Sequence, residues 1–235
     1  MKKIVCVLAA LALSASMYAD SFTSLWKQVT TARQKDLPKT ELQWLDQIVK
    51  KARQEKAYGQ LLKAKWQEVE TQGRVAPDSI DVMRQRLETD YTRLTDPTLR
   101  AVYAAALGKA YQGSSDKDSQ AKEKLWFGRA MANPDLLAKH KCEDYEPAIV
   151  EGIDSKIFYD DLLHVIGLEA KDYKTLHDYY SKQGNRPAAC LTALWMQQAK
   201  GQQTDCALRK SKCVQCLDSL MNAYQDLREC GEIAI

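Results

Sequence analysis

The sequence predicts an all-α protein. Apolar residues recur at helical spacing along most of the chain, and pairs such as Asp96-Pro97 and Asn133-Pro134 mark helix starts. No stretch alternates convincingly between apolar and polar residues with the period of a strand.

The elements follow in order. Phe22, Leu25, Trp26 and Val29 form one buried stripe of a first helix reaching about Gln34. Pro38, in "DLPKT", cannot donate inside a helix but suits a first turn, so a second helix follows with Leu42, Leu45, Ile48, Val49 and Ala52 inward. After "EKAYG" comes a third stripe: Tyr58, Leu61, Leu62, Trp66 and Val69. Asp78 or Ser79 caps a fourth helix carrying Ile80, Met83, Leu87, Tyr91 and Leu94. Asp96-Pro97 starts a fifth with Leu99, Val102, Tyr103, Ala106 and Leu107, ending at Gly113. The polar run "GSSDKDSQ", residues 113–120, reads as a solvated loop before a sixth helix marked by Leu125, Phe127 and Ala130. Asn133-Pro134 opens a short seventh. An irregular stretch, "CEDYEPAIVEG", precedes an eighth that starts at Asp154 and turns Phe158, Leu162, Val165 and Ile166 inward. Two more follow, in "DYKTLHDYYSKQGN" and "RPAACLTALWMQQAKG", and then a long one around Val214, Leu217, Met221 and Tyr224.

Two stretches look related: "KDLPKTEL" at 35–42 and "KDYKTL" at 171–176, each followed by a helix start rich in small residues, "GQLLKA" and "AACLTA". A polar Lys-Asp turn joining amphipathic helices, with small residues at close crossings, is the chemistry of helical hairpin repeats. No strict period is present. The expectation is a degenerate tetratricopeptide-like α-solenoid of antiparallel helical hairpins.

At the N-terminus, Met1-Lys2-Lys3, an apolar run from Ile4 to Leu13 and "SASMYAD" have the order of a secretory signal peptide, with cleavage after Ala19 preferred and Ser16 as the alternative. The apolar run is too short to span a bilayer. Cys6 lies too early for lipoprotein processing, so an exported protein without a lipid anchor is expected, in the periplasm or at the cell surface. Residues 20–235 then form one helical-repeat domain. Without Lys2 and Lys3 the 34 basic residues fall to 32 against 31 acidic ones, a balance that gives no support to nucleic-acid or polybasic membrane binding.

Six cysteines follow the leader: Cys142, Cys190, Cys206, Cys213, Cys216 and Cys230. Cys206, Cys213 and Cys216 fall on roughly one helical face, and with Cys230 they are the candidate ligands of a four-thiolate zinc site. Structural zinc sites sit more often on turns that let ligands converge, so buried thiols or one or two disulfides are the simpler expectation. Cys213-Val-Gln-Cys216 falls within a helix and follows no strand, which argues against a thioredoxin-like site. His140, His164 and His177 are scattered. Asp160-Asp161 stand one turn before His164, a pattern that suits a metal or acid/base pair but is more simply an exposed charged helix face. No nucleophile elbow, phosphate loop or HExxH motif occurs, so neither catalysis nor a cofactor is expected. The five Trp and eleven Tyr fall largely on core stripes, with a minority available for a binding surface.

The terminal "ECGEIAI" sits one residue from Cys-Gly-Glu-Gln, the thioester motif of the alpha-2-macroglobulin and complement proteins. That bond joins the thiol to the Gln carboxamide carbon; Ile233 has no carboxamide, so Cys230 cannot form it here. The run "SFTSLWKQVTTARQKDLPKTELQWLDQIVKKARQEKAYGQLLKA" resembles the start of the large exported bacterial alpha-2-macroglobulin-like proteins. "ANPDLLAKHKCEDYEPAIVEGIDSKIFYDDLLHVIGLEAKDYKTLHDYYSKQGNR" and "CLTALWMQQAK" resemble the same region in the same order. The resemblance implies the helical N-terminal region of such a protein, interrupted at "ECGEIAI". It also implies macroglobulin-like β-sandwich domains beyond it as partners, and a whole that inhibits endopeptidases by entrapment. The cysteine cluster near the end is not a family feature. The alternative is a stand-alone tetratricopeptide-like protein-binding adaptor of the cell envelope, and a cysteine metal binder comes third.

Overall fold

A computed structural model describes residues 22–76, 79–113, 116–152, 154–202 and 207–233. The predicted leader, the candidate cap Asp78 and the candidate ligand Cys206 lie outside the described residues. The described residues are helical throughout most of their length and contain no strand, only an isolated bridge between Lys141 and Asp161. In order, α1 covers 22–34, α2 Pro38–Glu55, α3 Tyr58–Val75, α4 Ile80–Thr92, α5 Pro97–Tyr111 and α6 Lys117–Ala130. A short α7 (Pro134–Leu137) leads into α8 (Leu162–Glu169), α9 (Tyr173–Lys182), α10 (Arg186–Gln202) and α11 (Ala207–Tyr224). Among the described residues the 3-10 turns Cys142–Tyr145, Ser155–Phe158 and Arg228–Ile233 stand between and after these helices.

The helices fall into two compact units. The first comprises the described part of the chain up to Thr95 together with Glu143–Val150; the second comprises Asp96–Cys142 and the chain from Glu151. In the first unit α1, α2 and α3 bury Phe22, Val29, Leu45, Ile48, Val49, Ala52, Leu61 and Ala64 in one cluster, the stripes read from the sequence. Glu41 is buried with them. Gly59 lets the 143–150 segment lie directly on α3, since a Cβ there would sit 2.0 Å from the Glu146 carbonyl oxygen. In the second unit α5 pairs with α6, α8 with α9, α9 with α10 and α10 with α11. Gly167 of α8 faces Leu176 of α9 too closely for any side chain, with a Cβ position 2.5 Å from a Leu176 methyl.

One connector recurs in both units. Asp36, Lys56, Lys171 and Gly184 each take the left-handed conformation (φ 50°, 56°, 55° and 73°). In each case the next residue donates its backbone N–H to the carbonyl five residues back, and a new helix follows at once. These bonds are Leu37 to Ala32, Ala57 to Ala52, Asp172 to Gly167 and Asn185 to Tyr180, all 2.9 Å. This arrangement satisfies the orphan carbonyls of a helix end while reversing the chain. The related Lys-Asp turns of the sequence are two of the four.

Several boundaries differ from expectation. Half of the 113–120 loop is helix, because Asp116 caps α6 by accepting from the Ser119 N–H at 2.9 Å. Leu125 is 49% exposed, and Trp126 takes the inward place beside Phe127. Ser79 precedes α4 without capping it; its hydroxyl donates to the Ala76 carbonyl instead. Only Leu87 of the α4 stripe is buried, and Leu94 lies beyond the helix end. The helix predicted from Asp154 begins at Leu162, since Tyr159 and Asp160 are left-handed and break it; Val165 is only half-buried. On α11, Val214 and Met221 face solvent, while Leu217 and Tyr224 pack inward.

Candidate functional site

The second unit holds the concentrated polar chemistry, at the start of α8. Asp161 caps that helix, its Oδ1 accepting from the His164 backbone N–H at 2.9 Å. The same oxygen lies 3.2 Å from His164 Nδ1, which donates to it. The Tyr180 hydroxyl reaches both carboxylate oxygens, at 2.8 and 2.9 Å. The Cys142 thiol donates to the Asp161 carbonyl at 3.2 Å. Burial, and then the Asp161 charge, push the Cys142 thiol up to about 12 and the Tyr180 phenol well above its usual range.

This node is dry. Asp161 is 1% exposed, His164 3%, and Tyr180 and Cys142 fully buried. The pair expected to lie on an exposed charged face is therefore interior, and the reason is local. The left-handed Tyr159 and Asp160 turn the chain so that Asp161 points back along α8 instead of outward. Asp160 stays nearer the surface and does not join the node. All four side chains, Asp161, His164, Tyr180 and Cys142, are of acid/base types, and all four are buried.

Phe158 links the node to the surface. Its ring stacks on His164 on one side (centroids 5.2 Å, planes 9° apart) and on Trp195 of α10 on the other (5.6 Å, 24°). Trp195 in turn lines a groove of about 500 Å³. Ile157, Leu191 and Leu194 are its other apolar lining residues, and Asp154, Gln198, Arg228 and Glu229 its polar ones. Opposite the α10 residues, Arg228 and Glu229 of the Arg228–Ile233 turn form the other wall. Arg186 holds that end of the chain: it pairs through both terminal nitrogens with Asp226 (2.5 and 2.8 Å) and donates to the Ala223 carbonyl at 3.1 Å. A concavity lined by one aromatic side chain, Trp195, which is itself backed by Phe158, suits side-chain capture.

The other candidates do not converge on this site. His140 hydrogen-bonds Thr98 at 3.0 Å, and His177 Nδ1 donates to the Ala189 carbonyl at 3.1 Å, fixing α9 to α10. Cys213 and Cys216 lie within α11, as predicted. Cys216 is exposed, Cys230 is half-buried, and the Cys213 side chain lies outside the described part of the molecule. Among the described residues no three His, Cys, Asp or Glu side chains gather as a metal site would require. Sequence reading missed Tyr180, Trp195 and Glu41. For Trp195 the signal was present as an aromatic residue on a helix otherwise rich in small residues, but its neighbour Phe158 arrives from a distant segment. No helix among the described residues is long and apolar enough to cross a membrane. Comparison with protein-family models, curated proteins and solved structures finds no match for this chain.

Proposed function

We propose that the chain is a non-catalytic, protein-binding helical module, the N-terminal region of an exported alpha-2-macroglobulin-like protein whose whole restrains endopeptidases by entrapment. The observation that carries the binding role is the groove beside Trp195. Its lining sets Ile157, Leu191, Leu194 and Trp195 beside the charged Asp154, Arg228 and Glu229, and the nearby acid/base groups are buried around Phe158. Such a site holds a partner's side chains without transforming them. The assignment to an alpha-2-macroglobulin-like protein rests on the three quoted runs, which together make up about half of the chain beyond the leader. In this role the module docks against the macroglobulin-like domains, and Cys230, with Ile233 in place of the required Gln, captures no protease covalently.

The test is to express this chain in trans with whatever polypeptide the reading frame encodes beyond the Ile235 codon. Association weakened about tenfold by Arg228→Glu, a change confined to the groove rim, is the expected result. A stop codon after Ile235, or β-rich domains that do not bind the chain, overturns it. The second reading, a stand-alone tetratricopeptide-like adaptor, draws support from the left-handed connector found four times across both units. A stop codon would favour it.

A further inference from the structure

Cys190 and Cys230 belong to one packed cluster. Cys190, fully buried on α10, and Leu194 form its centre, and Leu217, Leu220, Tyr224, Leu227 and Cys230 pack against them. Among the described residues the Cys190 thiol makes no hydrogen bond, and the Cys230 thiol makes one long contact, 3.6 Å to the Met221 carbonyl. The remaining described thiols are placed differently: Cys142 is committed to the Asp161 carbonyl, and Cys216 faces solvent. Cys230 also sits in the Arg228–Ile233 turn, next to the groove-lining Arg228 and Glu229.

We propose that Cys190 and Cys230 are a disulfide-forming pair whose bond locks the Arg228–Ile233 turn onto α10, and with it one wall of the groove. The oxidant is a disulfide, supplied in an exported setting by a thiol–disulfide oxidoreductase. The half-buried Cys230 thiolate attacks it first, forming a mixed disulfide and releasing one thiolate of the oxidant. Cys190 then gives up its proton and attacks Cys230 Sγ, and the second oxidant sulfur leaves as a thiol. Two thiols become one S–S bond, and two electrons and two protons pass to the oxidant. Burial, followed by the neighbouring Cys230 and Glu229, pushes the Cys190 thiol up to about 11, which makes it the second partner and never the first.

The inference draws on the proposed export only for its natural oxidant. A glutathione disulfide buffer supplies that oxidant in vitro, so failure here leaves the functional reading untouched. The folded chain is equilibrated with glutathione disulfide and excess glutathione, quenched in acid, alkylated and digested without reductant. A cross-link between the peptide containing Cys190 and the peptide containing Cys230 is expected, absent from Cys230→Ser. Amide exchange across 228–233 should slow by about tenfold on oxidation and recover with dithiothreitol. Because Cys230 is half-buried, Cys230→Ser should keep the helical circular dichroism of the parent. Both thiols remaining alkylatable after oxidation, or either one joined to a different cysteine, overturns the proposal.

Discussion

Each unit buries a carboxylate, and the two are satisfied in opposite ways. In the first unit Glu41, 0% exposed, draws in cations from the surface. Arg33 reaches Oε1 at 2.8 Å, Arg74 reaches Oε2 at 2.5 Å, and Thr71 donates at 2.9 Å. Burial opposes the charge, but Thr71, Arg33 and Arg74 together hold the carboxyl below its usual range. In the second unit Asp161 has no arginine or lysine ion pair among the described residues. It uses a helix N-terminus, a tyrosine hydroxyl and an imidazole. The difference teaches where each unit is vulnerable. Glu41 has partners that can turn back to water when it is lost, since the Arg33 and Arg74 side chains are 38% and 44% exposed. The partners of Asp161 are buried and have nowhere to go.

The largest expected effect is therefore at Asp161. Asp161→Ala removes a helix cap and strands the Tyr180 hydroxyl, and should cost about 3 to 5 kcal/mol in urea unfolding. A loss under about 1 kcal/mol would mean that the node holds nothing in place. Leu107, fully buried between α5 and its neighbours, gives an apolar reference in the same unit: Leu107→Ala should cost about 2 to 5 kcal/mol.

Glu41→Gln should cost less, about 1 to 3 kcal/mol, because its arginines recover hydration. The pH dependence sharpens the comparison. A carboxyl whose folded value is depressed contributes stability that is complete above the unfolded value, about 4.3, and that disappears as pH falls through the folded value. The thermal stability of the parent should therefore fall on acidification below about pH 4.3, and Glu41→Gln should flatten that part of the profile. Identical acid profiles for the two proteins would remove Glu41 from the account.

The smallest effect is expected at the shared connectors. Lys56 and Lys171 hold left-handed conformations that glycine adopts freely, and relief of that strain is offset in part by the greater freedom of unfolded glycine. Lys56→Gly and Lys171→Gly should each stabilise by about 0.5 kcal/mol. A destabilisation of equal size would show that the lysine stems contribute packing.

The helices were legible because burial of a stripe every 3.6 residues is a property of adjacent sequence. Leu45, Ile48, Val49 and Ala52 needed no distant partner to be read as inward. The caps at Asp96 and Asn133 were legible for the same reason, and both accept the backbone N–H three residues on, at 2.6 and 3.1 Å. α6 was misjudged at its start because polar residues serve equally well in a loop and on the outer face of a first turn.

What the sequence determined by itself was the all-α class, the order of the helices, and the Lys-Asp turns that join them. The tertiary structure decided which polar groups go inside. Asp161 and Glu41 look like surface residues in sequence, because the Tyr180 hydroxyl and the Arg74 guanidinium that satisfy them stand 19 and 33 residues away. It also decided the groove, since Ile157, Trp195 and Arg228 meet only once three separate segments have folded against one another. A periodic pattern records what each helix hides, but the partner that makes a buried charge affordable is fixed only by packing in three dimensions.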